Sequence, residues 1–112
     1  MAITYSQILD ITTIATDSSV LFNNPVGTTT YIRVIHIYNG NTSAETVCLW
    51  KKPAAIAVGA LTAIFKKVMQ PDEVQILEYA SPGMMLDTLN DGIYGDTTTA
   101  LKVTIWMSGG TE

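Results

Sequence analysis

The chain has one cysteine, one histidine, and charge on only 14% of its 112 residues. A lone cysteine, Cys48, excludes an intrachain disulfide framework and the usual all-cysteine zinc sites, so stability has to come from packing or from assembly. In its strand setting Cys48 reads as a small hydrophobe rather than a reactive thiol. The lone histidine, His36, lies between Ile35 and Ile37 with no serine, cysteine or aspartate at a recognisable motif spacing, so it reads as structural rather than catalytic. Basic residues are also scarce. The net charge is −4, and the lysines come mostly in pairs, Lys51-Lys52 and Lys66-Lys67, rather than as a stripe. Nucleic acid binding needs a concentrated positive footprint and is therefore not expected. The most apolar window, Ala54 to Ala63, is far short of the ~20 residues of a membrane span. The first residues lack a cationic start followed by a long apolar run, so no signal peptide is expected either. Charge well below the ~25% usual for soluble domains means that much of the surface is Thr, Ser, Asn and Gly, or is covered by other chains.

What the chain does have is strand signal. Tyr31 to Asn39 is rich in β-branched and aromatic residues and runs through a polar Gly-Asn-Thr-Ser segment into Glu45 to Lys51, which predicts a strand and hairpin. Leu101 to Met107 alternates strictly: Leu101, Val103, Ile105 and Met107 fall on one face, Lys102, Thr104 and Trp106 on the other. Further strands are expected at Val20 to Asn23, Ile64 to Met69, Glu73 to Tyr79, Met84 to Leu89 and around Ile93 and Tyr94, separated by turn clusters such as Asn24-Pro25-Val26-Gly27 and Ser81-Pro82-Gly83. About eight short strands with frequent turns predict an all-β fold, an antiparallel β-sandwich or jelly roll. Length fits one domain. Residues Met1 to Ser19 read as an N-terminal arm or edge strand, Val20 to Glu112 as the sandwich, and Ser108 to Glu112 as a short flexible tail. Because Tyr31 to Asn39 is apolar on both faces, a bulge near Arg33 could swap the faces.

Chemistry-bearing motifs are thin. Asp87-Thr88-Leu89-Asn90-Asp91-Gly92 has the outline of a calcium loop, but Leu89 stands where an oxygen ligand belongs and Thr98 where the bidentate glutamate should be, so a turn explains it better. Asn41-Thr42-Ser43 matches a glycosylation sequon and carries almost no weight without a signal peptide. No phosphate-cradling glycine loop or nucleophile elbow is present. The sequence therefore supports no enzyme, and neither a cofactor nor a metal is expected.

The surface is more informative. Trp50 and Trp106 alternate away from their aliphatic neighbours, and an outward Trp usually has a partner. Strands that read apolar on both faces are covered on both, by a second sheet and by something else, most simply another copy. The candidate interface residues are Trp50 and Trp106, Ile3, Tyr5, Ile8 and Leu9 of the arm, Lys51 and Lys52, and Ile56 and Val58 of the apolar loop.

The order Tyr31-Ile-Arg-Val-Ile-His-Ile-Tyr-Asn-Gly-Asn-Thr-Ser-Ala-Glu-Thr-Val-Cys-Leu-Trp50, then Val68-Met-Gln-Pro-Asp-Glu73, then Gly83-Met-Met-Leu-Asp-Thr-Leu-Asn-Asp-Gly-Ile-Tyr94, then Leu101-Lys-Val-Thr-Ile-Trp-Met107, resembles small β-sandwich virion proteins of tailed bacteriophages. In that group a strand ending in Asn leads through a polar turn into a Thr-Val strand, and a late turn precedes a closing Val-Thr strand. The resemblance spans roughly Val20 to Met107. The chain departs from it at Asn90-Asp91-Gly92, where the turn is shifted, and in the apolar Ala54 to Leu61 segment. It implies a non-enzymatic capsid decoration protein that binds the head shell as an oligomer, with a trimer as one candidate. Its partners would be other copies and the major capsid protein or other virion proteins, and it would reside in the phage particle after synthesis in the host cytoplasm. The alternatives are a neck, tail or fibre component, or a carbohydrate-binding adhesin module using Trp50, Trp106 and Tyr94 as a stacking platform. The resemblance supplies no catalytic residues.

Overall fold

The computed structural model describes residues 3–53 and 63–112, and among them it contains no helix and nine strands. These are β1 (Thr4–Thr13), β2 (Ser19–Asn23), β3 (Thr30–Asn39), β4 (Glu45–Lys52), β5 (Ala63–Met69), β6 (Val74–Glu78), β7 (Met84–Leu86), β8 (Gly92–Thr97) and β9 (Val103–Thr111). Their pairing is nested and antiparallel: β4 with β5, β3 with β6 and β7, β2 with β8, β1 with β9. Two more ladders, β3 with β9 and β4 with β8, roll this nest into two sheets. Sheet A has the order β1-β9-β3-β6, with β7 also on β3, and sheet B the order β2-β8-β4-β5. With β6 and β7 counted as one interrupted strand, this is an eight-stranded jelly roll. The expected fold class is the one the chain adopts.

Period-2 alternation puts one row of each strand between the sheets. Sheet A contributes Ile32, Ile35, Ile37, Val103, Ile105 and Met107, and sheet B contributes Val47, Leu49, Met69 and Ile93. All are essentially without exposed surface, each worth about 1.5–3 kcal/mol of burial. Buried polar groups are answered locally. Asn24 donates to the carbonyls of Thr28 and Thr88 and accepts from the Thr30 hydroxyl, while Glu45 accepts from Asn41 Nδ2 at 2.9 Å and from the Thr99 amide at 2.8 Å.

Three expectations from the sequence change here, and one alternative is resolved. The expected hairpin of β3 and β4 is an arch between sheets: β3 belongs to sheet A and β4 to sheet B. Asn39 makes that corner. Its side-chain amide donates to the carbonyls of Ser43, Met69 and Gln70, and its Oδ1 accepts from the Asn41 amide, tying this arch to the β5–β6 crossing. Of the two readings of Met1 to Ser19, arm or edge strand, the second describes Thr4 to Thr13, which is β1, the edge strand of sheet A paired to β9. The expected flexible tail is the end of β9, held between β1 and β3. Finally, Leu101 lies outside the alternating strand, in a turn with φ 66°, and is 75% exposed.

A bulge does fall at Arg33: Ile32 pairs with Gly109 and Val34 with Ser108, so one extra residue sits on β3 and the inward phase shifts from Ile32 to Ile35. The Arg33 Nε donates to the Tyr79 carbonyl, and the Tyr79 amide donates to the Arg33 carbonyl, fixing the segment that interrupts β6 and β7. Gly109 lies opposite the bulge. A Cβ there would overlap the Tyr31 carbonyl oxygen, so the glycine is needed for close backbone approach rather than for flexibility.

Candidate interaction faces

The candidate surfaces are built by the rows that alternation leaves pointing outward. On sheet A, Trp106, His36 and Ile76 stand side by side across β9, β3 and β6, and Thr104, Tyr38 and Val74 form the next row. The His36 and Trp106 rings are stacked, with centroids 3.8 Å apart and an interplanar angle of 9°. His36 and Trp106 are thus partners within one chain. Around them Ile11 is 67% exposed, Val74 57%, Ile76 45% and Tyr38 40%. Between the two rows lies a shallow depression of about 180 Å³, lined chiefly by Ile11, His36, Tyr38, Val74, Thr104 and Trp106. Small-molecule pockets usually start near ~300 Å³ and enclose their ligand; this one is sized for protruding side chains. Nearer the other end of the sheet, Tyr5 and Met85 are exposed beside Tyr31.

Two tyrosines anchor this face at its margins. The Tyr38 hydroxyl donates to Asp72 at 2.7 Å, and the Tyr31 hydroxyl to Glu112 at 2.7 Å. Each hydrogen bond to a carboxylate raises the phenol above its ordinary value, helped at Tyr31 by burial and by the charge of Glu112.

Sheet B presents a different surface. Its outward row on β4 is Thr46, Cys48, Trp50 and Lys52, flanked by Val68 and Lys66 on β5 and by Tyr94 and Asp96 on β8. The Lys52 ammonium lies 5.3 Å from the Tyr94 ring centroid, a cation–π distance. Cys48 is 8% exposed between Asp96 and Lys66. Burial, and then the Asp96 charge, push its thiol up against the opposing pull of Lys66, which favours the unreactive form.

The candidate residues are therefore distributed rather than gathered. Trp106 and Tyr5 face outward on sheet A, whereas Trp50 and Lys52 face outward on sheet B. Trp50, Trp106 and Tyr94 do not form one stacking platform, because Trp106 is on the opposite side of the sandwich. Ile8 and Leu9 pack against the core instead of extending from a free arm, and Ile3 is half-buried beside Gly110. Lys51 is in phase with the core residues Val47 and Leu49 at the end of β4. Ile56 and Val58 lie outside the described residues.

Sequence reading missed Ile11, Tyr38, Val74 and Ile76 as surface-forming residues. The signal for the last two was present, since Val74-Gln75-Ile76-Leu77 offers apolar side chains to both faces of one strand. Among the described residues no group of three or more His, Cys, Asp or Glu side chains is placed to hold a metal ion, and no helix is long and apolar enough to cross a membrane. In comparison with known proteins, no family model, curated protein or solved structure matches the chain.

Proposed function

We propose that this chain is a non-enzymatic structural protein of a bacteriophage virion, most simply a decoration protein that binds the outside of the head shell as an oligomer. The observation that carries this reading is the outward face of sheet A, where four apolar side chains, each 40–67% exposed, surround a stacked Trp106–His36 pair. A patch of that kind on a chain with few charges supports a protein contact. The sequence resemblance described above and the occurrence of jelly rolls in viral capsid proteins support the same reading, the latter as an analogy of fold. In this role each copy buries apolar surface against its neighbours. At ~25 cal/mol per Å² a modest patch, repeated over many copies, stiffens the shell against internal pressure. A neck, tail or fibre component would share the fold and the oligomeric habit, and differs in abundance. A carbohydrate-binding role is less well supported, because the aromatics it would use are divided between opposite faces.

Quantitative mass spectrometry of purified particles, normalised to the major capsid protein, tests the proposal. A ratio near one copy per capsid subunit supports decoration. A few to dozens of copies moves the protein to the neck, tail or fibre, and absence from particles removes the virion reading.

A further inference from the structure

Lysine is divided unequally between the sheets. β1, β3, β6, β7 and β9 contain none, whereas Lys51, Lys52, Lys66 and Lys67 all lie on β4 and β5, leaving only Lys102 elsewhere. Lys67 is engaged with Glu73, and Lys51 is in phase with the core row; Lys52 and Lys66 point outward beside Trp50 and Val68. The apolar centre of sheet A has a mainly acidic margin, its one basic residue, Arg33 of β3, being tied to the Tyr79 carbonyl, while on sheet B Asp96 of β8 lies across Cys48 from Lys66. Glu78 extends the β6 row outward, Asp72 holds the Tyr38 hydroxyl, and Asp10 accepts from Gln7, which lies opposite Ser108 on the outward face.

From this complementarity we infer that the outward face of sheet A docks the β4–β5 hairpin of a second copy of the chain. The inference rests on the oligomeric part of the proposed function and supplies the contact. Two sheet A faces brought together would set one mainly acidic margin against another, a like-charge arrangement that opposes association. The hairpin instead brings Lys52 and Lys66 to the acidic margin while Trp50 and Val68 cover the apolar centre. Val68 is 52% exposed, and the depression beside Trp106 is of side-chain size. Because different surfaces meet, the contact is heterologous and builds a ring where its rotation closes, a trimer being one such ring, rather than a two-fold dimer.

Sedimentation of the full chain with two exchanged-charge variants tests this. The wild type is expected to self-associate with concentration, and the association constant to fall by about tenfold or more as salt rises from roughly 50 to 500 mM. The variant Lys52→Glu/Lys66→Glu and the variant Asp10→Lys/Glu78→Lys, each checked for an intact fold by circular dichroism, should both be monomeric alone and associate when mixed. Self-association of Lys52→Glu/Lys66→Glu at wild-type strength would overturn the proposal in favour of a contact that omits the hairpin. A wild-type chain that stays monomeric would overturn it too. If that monomer is nevertheless abundant in particles, the virion reading survives without this contact; an oligomer with the expected charge behaviour but absent from particles supports the contact and removes the virion reading.

Discussion

The two sheets of this sandwich are alike inside and different outside. Both fill the shared core with Ile, Val, Leu and Met at essentially zero exposure. Outside, sheet A carries a stacked Trp–His pair amid uncovered aliphatic side chains, while sheet B carries two outward lysines, one of them resting on Tyr94. The inward rows are fixed by the need to exclude water, which any apolar side chain of suitable size meets. Folding places much weaker demands on the outward rows, so their difference is where a role can be read. An apolar outward face adds nothing to the monomer's core, and in the proposed function it is the surface a partner would cover.

The two sheets should differ most in what their glycines tolerate. Gly109→Ala places a methyl group into the Tyr31 carbonyl oxygen opposite the Arg33 bulge, where the obstacle is backbone. Gly95→Ala in sheet B meets only side-chain methyls of Leu21, Leu49 and Ile14 at 2.9–3.2 Å, and those can shift. Urea unfolding should show a loss of about 4 kcal/mol or more for the first and about 1–3 kcal/mol for the second. Equal losses would mean that the seam between β9 and β3 is not the tight one. Truncations in the shared core should show no such asymmetry. Ile105→Ala from sheet A and Leu49→Ala from sheet B are each expected to cost about 2–5 kcal/mol, measured as shifts of the urea midpoint at unchanged slope.

These glycines also show what a sequence hides. Ser108-Gly109-Gly110 has the composition of a loose tail, and the requirement that makes it a strand comes from a carbonyl about eighty residues earlier in the chain. Asn39 to Ser43 likewise carries the polar letters of a hairpin turn. The same letters serve an arch, and the deciding partners are the Met69 and Gln70 carbonyls, some thirty residues away. By contrast, the β9 alternation was legible because a strand buried on one face writes its own period, so Val103, Ile105, Met107 and the outward side of Trp106 could be read directly. Which surface Trp106 joins was not legible, since its neighbour His36 is set by register between distant strands.

That register yields a finer test. A double-mutant cycle on His36→Ala and Trp106→Ala should return a coupling of about 0.5–1.5 kcal/mol, the usual range for stacked rings. The same cycle on His36 and Trp50 should return none, because Trp50 is on the opposite face. Measurable coupling in the second cycle would argue against two independent outward faces.

The smallest expected effect lies where the sheets meet at their edges. Lys67 of β5 reaches Glu73 just before β6, strapping sheet B to sheet A on the surface, with Lys67 45% exposed. The Lys67 hydrogen bond foremost, then the Gln70 amide, hold the Glu73 carboxyl below its ordinary 4.5 against a small opposing effect of burial. A depressed carboxylate contributes stability that is full above 4.5 and is lost as pH falls through the folded value. Tyr31 and Tyr38, raised above 10.0 by their carboxylate partners, do the reverse: their contribution is full below 10.0 and disappears as pH rises through their folded values. The strap between sheets thus contributes to the acid limb, and the margins of sheet A to the alkaline limb, which they share with the burial-raised Cys48 thiol and Tyr79 phenol. In thermal melts, Lys67→Met should lower Tm slightly at neutral pH, with the gap from wild type closing once pH drops below the folded Glu73 value. Tyr38→Phe should show its gap at neutral pH and lose it only in strong alkali. A constant gap for Lys67→Met across the acid range would mean that the lysine stem, packed along the edge, holds the two sheets together without help from the charge.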